Sequence, residues 1–401
     1  MPTRRRTRAV AGFFSVYVLA CRRSRRLLLL CLSLASPLAV AASLTPLGHL
    51  PGGYSFSSAA DVSDDGTVVV GSATNASGHS EAIRWTRADG MIGLGFLGGA
   101  NSSYAEAVSG NGNTIVGGTG AEAFRWTMAG GMVGLGGLSG GNSFVASGAT
   151  GVSADGEVVV GYGRRSLEPT EAFRWTAAGD IVAIGIASGN TTGRATAVSD
   201  DGNVVVGSGL HTAADEAAFR WTGSEGFTGL GFLPGGYSSS ATGTSGDGSV
   251  VVGASSNATP LGTEAFLWTV NGGMRGLGTF TGSFGNVAWD VSNDGSIVVG
   301  FDTLGGRTAF VWTETGGMQS LLTVLATNGA TGLTGWSLRE AKAISADGRW
   351  VVGTGTNPLG SDEAFLADLS PVPIPAVGWL LVPALGAVGF TGRRRKPKGR
   401  C

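Results

Sequence analysis

One ten-residue pattern, Val-Ser-x-Asp-Gly-x-Val-Val-Val-Gly, returns seven times along this 401-residue chain with small changes. Fixed-period self-similarity restricts a chain to repeat architectures. The turn glycines are Gly66, Gly112, Gly156, Gly202, Gly248, Gly295 and Gly348, at spacings of 46, 44, 46, 46, 47 and 53 residues. A second motif, Glu-Ala-Phe-Arg-Trp-Thr, follows in each unit and is intact at 122–127 and 171–176. A third, Gly-Met-x-Gly-Leu-Gly-x-Leu, follows that, as at 90–97 and 131–138. Unit three therefore offers four strands: 149–153, 157–161, 171–176 and 181–186. Asp-Gly between the first two is a hairpin signal, because Gly accepts positive φ and Asp bonds the turn backbone. Val-Val-Val runs suit a strand covered on both faces. Four antiparallel strands per period of about 46 residues predict a propeller blade. A parallel β-helix would need crossovers in place of Asp-Gly hairpins.

The edges of the array predict closure. Unit seven has strands at 350–353 and 363–366, then no fourth strand. Before unit one stands an orphan, Pro46 to Tyr54, which matches the fourth strand and following loop of unit four, Leu230 to Tyr237. The N-terminal strand is expected to complete the last blade, removing a sheet edge that would otherwise aggregate. The predicted fold is all-β: a seven-bladed β-propeller over 42–369, flanked by a signal peptide (1–41) and a C-terminal sorting tail (370–401).

Charge separates these three regions. Residues 1–42 carry eight Arg and no acid, and 371–401 carry six Lys/Arg and no acid. All 28 Asp/Glu lie in 43–370, against 13 basic residues there. A nucleic-acid binder needs a basic surface to displace counterions, so nucleic acid is not an expected partner. Cys21, Cys31 and Cys401 all lie outside the repeats. No disulfide or cysteine-held metal is expected within them, and stability must come from a large core. No cofactor is expected.

Arg22, Arg23, Arg25 and Arg26 precede the apolar run Leu27 to Val40, which ends in small residues. This order predicts a secretory signal peptide cleaved between Ala41 and Ala42. Residues 24–28 also fit a loose twin-arginine pattern, and Val18 to Cys21 faintly fit a lipoprotein site. At the other end, Val372-Pro373-Ile374-Pro375-Ala376 leads into an apolar segment, about 374–390, and then Arg393 to Lys396. That length is near the lower limit for crossing a bilayer, and the basic cluster would remain cytoplasmic.

This tail resembles the PEP-CTERM class of sorting signals, in the variant that reads Val-Pro-Leu-Pro-Ala, with Ile374 for Leu. The resemblance implies export across the inner membrane of a Gram-negative bacterium, with a signal peptidase and an exosortase-type enzyme as processing partners. It also implies transient membrane association and delivery to the cell surface, outer membrane or exopolysaccharide matrix. A plain membrane anchor is the alternative. The repeats resemble the HAF repeat family of bacterial extracellular proteins, in which Ala-Phe-x-Trp follows a Gly-rich strand, over about 45–369. Residues 321–340 look like that family's final repeats. The family has no general enzymatic activity to carry over. Ile83, Leu267, Thr308, Val311, Leu366 and Ala367 depart from the motif and put the role of its Arg in doubt more than the fold.

Function is sought where repetition fails, because an active site needs its groups once and at one point. Asp65, Asp155, Asp201, Asp247, Asp294 and Asp347 recur once per unit and read as turn residues. The Glu and Arg of strand three have opposite parity, so they face opposite sides and need other partners. The recurring Trp residues, Trp85 to Trp312, read as blade-to-blade packing. His49, His79 and His211 lack ligand spacing, so no metal site is expected. Tyr54, Phe144, Tyr237 and Phe284 each follow a Gly-rich link into the next blade, on the face opposite the Asp-Gly turns. Two roles suit them: plugging gaps between blades, which is the expectation, or stacking on sugar rings. The leading functional reading is a non-enzymatic module that binds or scaffolds exopolysaccharide or surface proteins. The alternative is a polysaccharide lyase or glycosidase, for which the unrepeated Glu106, Asp180, Asp302 and His211 would have to converge.

Overall fold

The structure, a computed structural model, describes residues 42–136, 146–164, 169–177, 179–185, 192–210, 216–259 and 262–370. Seven four-stranded antiparallel sheets follow one another along the chain. Six blades take their strands in sequence order. The seventh is built from Ser337–Ile344, Trp350–Thr356 and Asp362–Asp368, with Ser43–Pro46 as its outer strand. Strand one of every blade touches strand one of the next, and blade seven returns to blade one. The ring is closed, as the motif edges predict.

The clasp reproduces a repeat contact. Ser43 pairs with Asp368 and Pro46 with Phe365. Leu47 N–H then donates to Ala364 O at 3.0 Å, as Leu94 N–H donates to Ala82 O in blade one at 2.8 Å. Gly48 N–H donates to the Glu363 carboxylate at 3.0 Å, and Gly95 and Gly278 do the same to Glu81 and Glu264. The strand-three Glu is thus a bracket for the chain leaving strand four. The predicted structural role holds in these blades.

The Asp-Gly turns close four-residue loops. In blade one, Ser63 N–H donates to Val68 O and Gly66 N–H to Ser63 O, with Gly66 at φ +70°. The Asp65 carboxylate accepts from the Ser63 hydroxyl and the Thr67 N–H, at 2.8 and 2.9 Å. The same set recurs at Asp155, Asp201, Asp247, Asp294 and Asp347. These carboxylates are turn parts, as expected.

Core clusters straddle neighbouring blades. One joins Val68 and Ala82 of blade one to Ile115, Phe124 and Trp126 of blade two. The expected blade-to-blade role of the motif Trp is met at Trp85, Trp126, Trp268 and Trp312, all buried. The 53-residue spacing before the last turn holds a short helix, Leu321–Thr327. Its Leu321 and Leu325 are fully buried in one cluster with Leu44 of the clasp and Trp336 and Leu338 of blade seven. Among the described residues, no helix is long and apolar enough to cross a membrane. The segments 1–41 and 371–401 lie outside the described residues.

Candidate functional site

Every strand one carries a β-bulge. Its register against strand two slips after an Ala that is buried in all seven blades: Ala59, Ala105, Ala149, Ala195, Ala241, Ala288 and Ala341. A bulge leaves one extra, unpaired residue and re-aims it. Here the extra residues are Ala60, Glu106, Thr150, Thr196, Thr242, Trp289 and Lys342, and all line one central cavity of roughly 280 Å³. The bulge also explains the Gly that ends each Val-Val-Val run. A Cβ at Gly71, Gly117, Gly161, Gly207, Gly253, Gly300 or Gly353 would overlap a strand-one carbonyl oxygen of its own blade.

The cavity wall has two halves. In blades three to five it is uniform: Thr150, Thr196 and Thr242 donate to Ala195 O, Ala241 O and Ala288 O of the next blade at 2.9, 2.9 and 2.7 Å. In blades six, seven, one and two this stitch is replaced by Trp289, Lys342, Ala60 and Glu106. The Lys342 ammonium lies 3.4 Å from the centre of the Trp289 ring. Trp289 Nε1 is buried without a hydrogen-bond partner. Below this level Asp61 and Asp290 each cross to the following blade. Asp61 accepts from Val62 and Val108 N–H at 2.7 and 2.8 Å, and Asp290 from Val291 and Ile344 N–H at 2.8 and 2.9 Å. Asp64 and Asp200 line the cavity at the Asp-Gly end, where the Asn293 amide donates to Asp200.

Enclosure shifts these groups. Burial pushes Lys342 down, partly offset by Glu106. Glu106 is open to the lumen, yet the surrounding walls limit its hydration and push it up, against the pull of Lys342 and Arg194. Burial pushes Asp61 up to about 8 and Asp290 up to about 6, against the pull of their N–H donors. A carboxyl raised in the folded state contributes stability that is complete below its unfolded value. That contribution is lost as pH rises through the folded value. The turn carboxylates act the other way. The Ser153 hydroxyl and then the Glu157 N–H hold Asp155 below its ordinary value, and the Ser199 hydroxyl and Asn203 N–H do the same for Asp201. Their contribution is present above the ordinary carboxylate range and lost on acidification. Melting temperature should therefore peak in mild acid and fall toward pH 8. The double variant Asp61→Ala/Asp290→Ala, which installs the residue the scaffold uses at Ala107 and Ala343, should flatten that alkaline fall. A wild-type melting temperature unchanged from pH 5 to 9 would refute this assignment.

The sequence-predicted residues are placed as follows. Tyr54, Tyr237 and Phe284 are 62%, 61% and 87% exposed, so they do not plug blade gaps. Tight turns lift them out: Gly53 N–H donates to Leu50 O and Gly236 N–H to Leu233 O, across Pro51-Gly52 and Pro234-Gly235, with both middle glycines at positive φ. Leu304 and Leu359, in strand two–three loops of the same face, are also exposed. Phe144 and His211 lie outside the described residues, as does the side chain of Asp180. Asp302 is fully buried in blade six and accepts from Leu304 N–H, Phe280 N–H and the Asn286 amide. It is committed to its own blade, whereas Glu106 faces the cavity. Among the described residues no group of three or more His, Cys, Asp or Glu is arranged to hold a metal.

No known family model matches the chain, and no curated protein is significantly similar to it. Solved structures place it among β-propeller proteins. An oligogalacturonate lyase in complex with manganese is 15% identical, with 81% of this chain and 93% of that one covered and a TM-score of 0.54. A structure from a study of two prolyl endopeptidases is 12% identical, covering 83% of this chain and 50% of that one at a TM-score of 0.50. TolB from Acinetobacter baumannii is 11% identical, covering 77% of this chain and 65% of that one at 0.45. The chain thus spans about half of the endopeptidase and under two thirds of TolB. The lyase and endopeptidase structures share a scaffold with this chain, and likeness at such identities carries the fold alone.

Proposed function

We propose that this protein is an exported, non-enzymatic propeller that holds a surface or matrix polysaccharide on the face opposite its Asp-Gly turns. The observation that carries the reading is the outward display of Tyr54, Tyr237 and Phe284 at one repeated position in blades one, five and six. Exposed rings on rigid turns stack on sugar faces with little ordering cost. The acidic excess of 43–370 favours a neutral glycan over a polyanion. The basic-apolar N-terminal segment and the Pro-rich, apolar and basic tail support export and surface delivery, with a signal peptidase and an exosortase-type enzyme as processing partners.

Affinity electrophoresis through gels carrying neutral glycans tests the reading. Stacking at about 1 kcal/mol per ring makes the triple variant Tyr54→Ala/Tyr237→Ala/Phe284→Ala bind on the order of 100-fold more weakly. Equal retardation of variant and wild type would reject the aromatic face. Shortening of the polymer during incubation would instead favour the lyase or glycosidase reading.

A further inference from the structure

Residues 42–370 contain twelve arginines and a single lysine, Lys342. That lysine occupies a bulge position inside the central cavity, where the other blades place Ala, Glu, Thr or Trp. A guanidinium would serve for charge pairing or for stacking on Trp289, but it stays protonated and cannot act as a nucleophile. An amine can. Two further observations accompany it. Its neighbour on the ring is Ala60, the smallest of the seven bulge residues, and Glu106 follows in blade two. Glu106 lines the same cavity from blade two, so an amine and a carboxyl face one shared volume. Enclosure moves Lys342 down and Glu106 up from their ordinary ranges, each toward the form in which an amine can attack and a carboxyl can donate a proton. The roughly 280 Å³ of space is about nine times a water's share of the liquid. That is room for a small aldehyde or ketone.

We propose that the central cavity is a carbonyl-capturing site, in which Lys342 forms an imine with small aldehydes or ketones and Glu106 serves as the proton donor. The neutral amine attacks the carbonyl carbon. The C–N bond forms as the π pair moves to oxygen, which takes the Glu106 proton. The nitrogen returns a proton to the Glu106 carboxylate. Glu106 then protonates the carbinolamine hydroxyl, which leaves as water, and the remaining N–H proton passes back to Glu106. One amine and one carbonyl give one imine and one water, with no oxidant or reductant. Trp289 packs against the amine and fixes its height in the channel. This site stands apart from the loop-face reading and shares no residue with it.

Reductive trapping tests the proposal. The purified chain is incubated at pH 7 with glyceraldehyde and sodium cyanoborohydride, with Nα-acetyllysine as an internal reference, and adducts are mapped by peptide mass spectrometry. Lys342 should be modified at least tenfold faster than the reference. Glu106→Gln should slow Lys342 roughly tenfold without changing the reference rate. Lys342→Arg should abolish every side-chain adduct within 42–370. Matching melting curves separate these effects from misfolding. Modification of Lys342 at or below the reference rate would overturn the proposal and leave Lys342 as a half-buried cation on Trp289. An unchanged rate in Glu106→Gln would remove Glu106 as the proton donor and overturn the paired mechanism.

Discussion

A chain lacking residues 44–54 is expected to lose its cooperative melting transition near the wild-type temperature. The deletion removes Leu44, Leu47 and Leu50, each under a tenth exposed, from two core clusters. At about 1.5–3 kcal/mol per buried leucine, this costs roughly 5–9 kcal/mol before any hydrogen bond is counted. Whole-domain stabilities are about 5–15 kcal/mol. The deletion also strips the partner strand from Asp362–Asp368, leaving an unpaired edge. Calorimetry should show a broad, lowered transition with aggregation. A melting curve superimposable on that of the intact chain would rule out the ring closure as a source of stability.

The second large effect is expected from Gly161→Ala or Gly253→Ala. Neither glycine has a positive φ, so the cost is one of space. An added methyl at Gly161 would run into Gly148 O and lie 2.9 Å from the Phe173 ring, and one at Gly253 would run into Ser240 O and lie 2.9 Å from Phe266. The obstructing oxygens belong to backbone, which cannot move without flattening the bulge. Overpacking of this kind costs about 3 kcal/mol, or roughly a 5 °C drop in melting temperature for a domain of this size. Gly305→Ala, in an exposed loop where nothing lies near the added methyl, is a control dominated by its φ of +67°. If Gly161→Ala melted like wild type, strand one would not need its bulge.

Much of the ring was legible because its causes are local. Asp-Gly turns, Val-Val-Val runs and the Pro46–Tyr54 orphan each declare a strand or its boundary. The bulge was not legible as a bulge, because a strand with one extra residue has no distinct periodicity. Its signature was present all the same: an unvarying Ala followed by a position that runs Ala60, Glu106, Thr150, Thr196, Thr242, Trp289 and Lys342. Repetition marks scaffold, and this is where strand one stops repeating. Lys342 could have been found by counting lysines. The exposure of Tyr54 and Tyr237 could not, since an aromatic after a Gly-rich link is equally suited to filling a gap. The turn geometry at Pro51-Gly52 and Pro234-Gly235 decides it. Of the enzyme candidates, Asp302 and Glu106 do not meet, because sequence separation across blades says nothing about depth: Asp302 is buried within its blade, and Glu106 is at the lumen.

The clasp has a mechanical consequence. Ser43 begins the outer strand of blade seven, Asp368 ends its neighbour, and the two are paired residues in an antiparallel ladder. Tension applied between those two points pulls the strands apart from one end. It loads the cross-strand bonds one pair at a time, whereas tension along the strands would load them together. The seam that closes the ring therefore resists heat through its buried leucines, but under tension it parts like a zip.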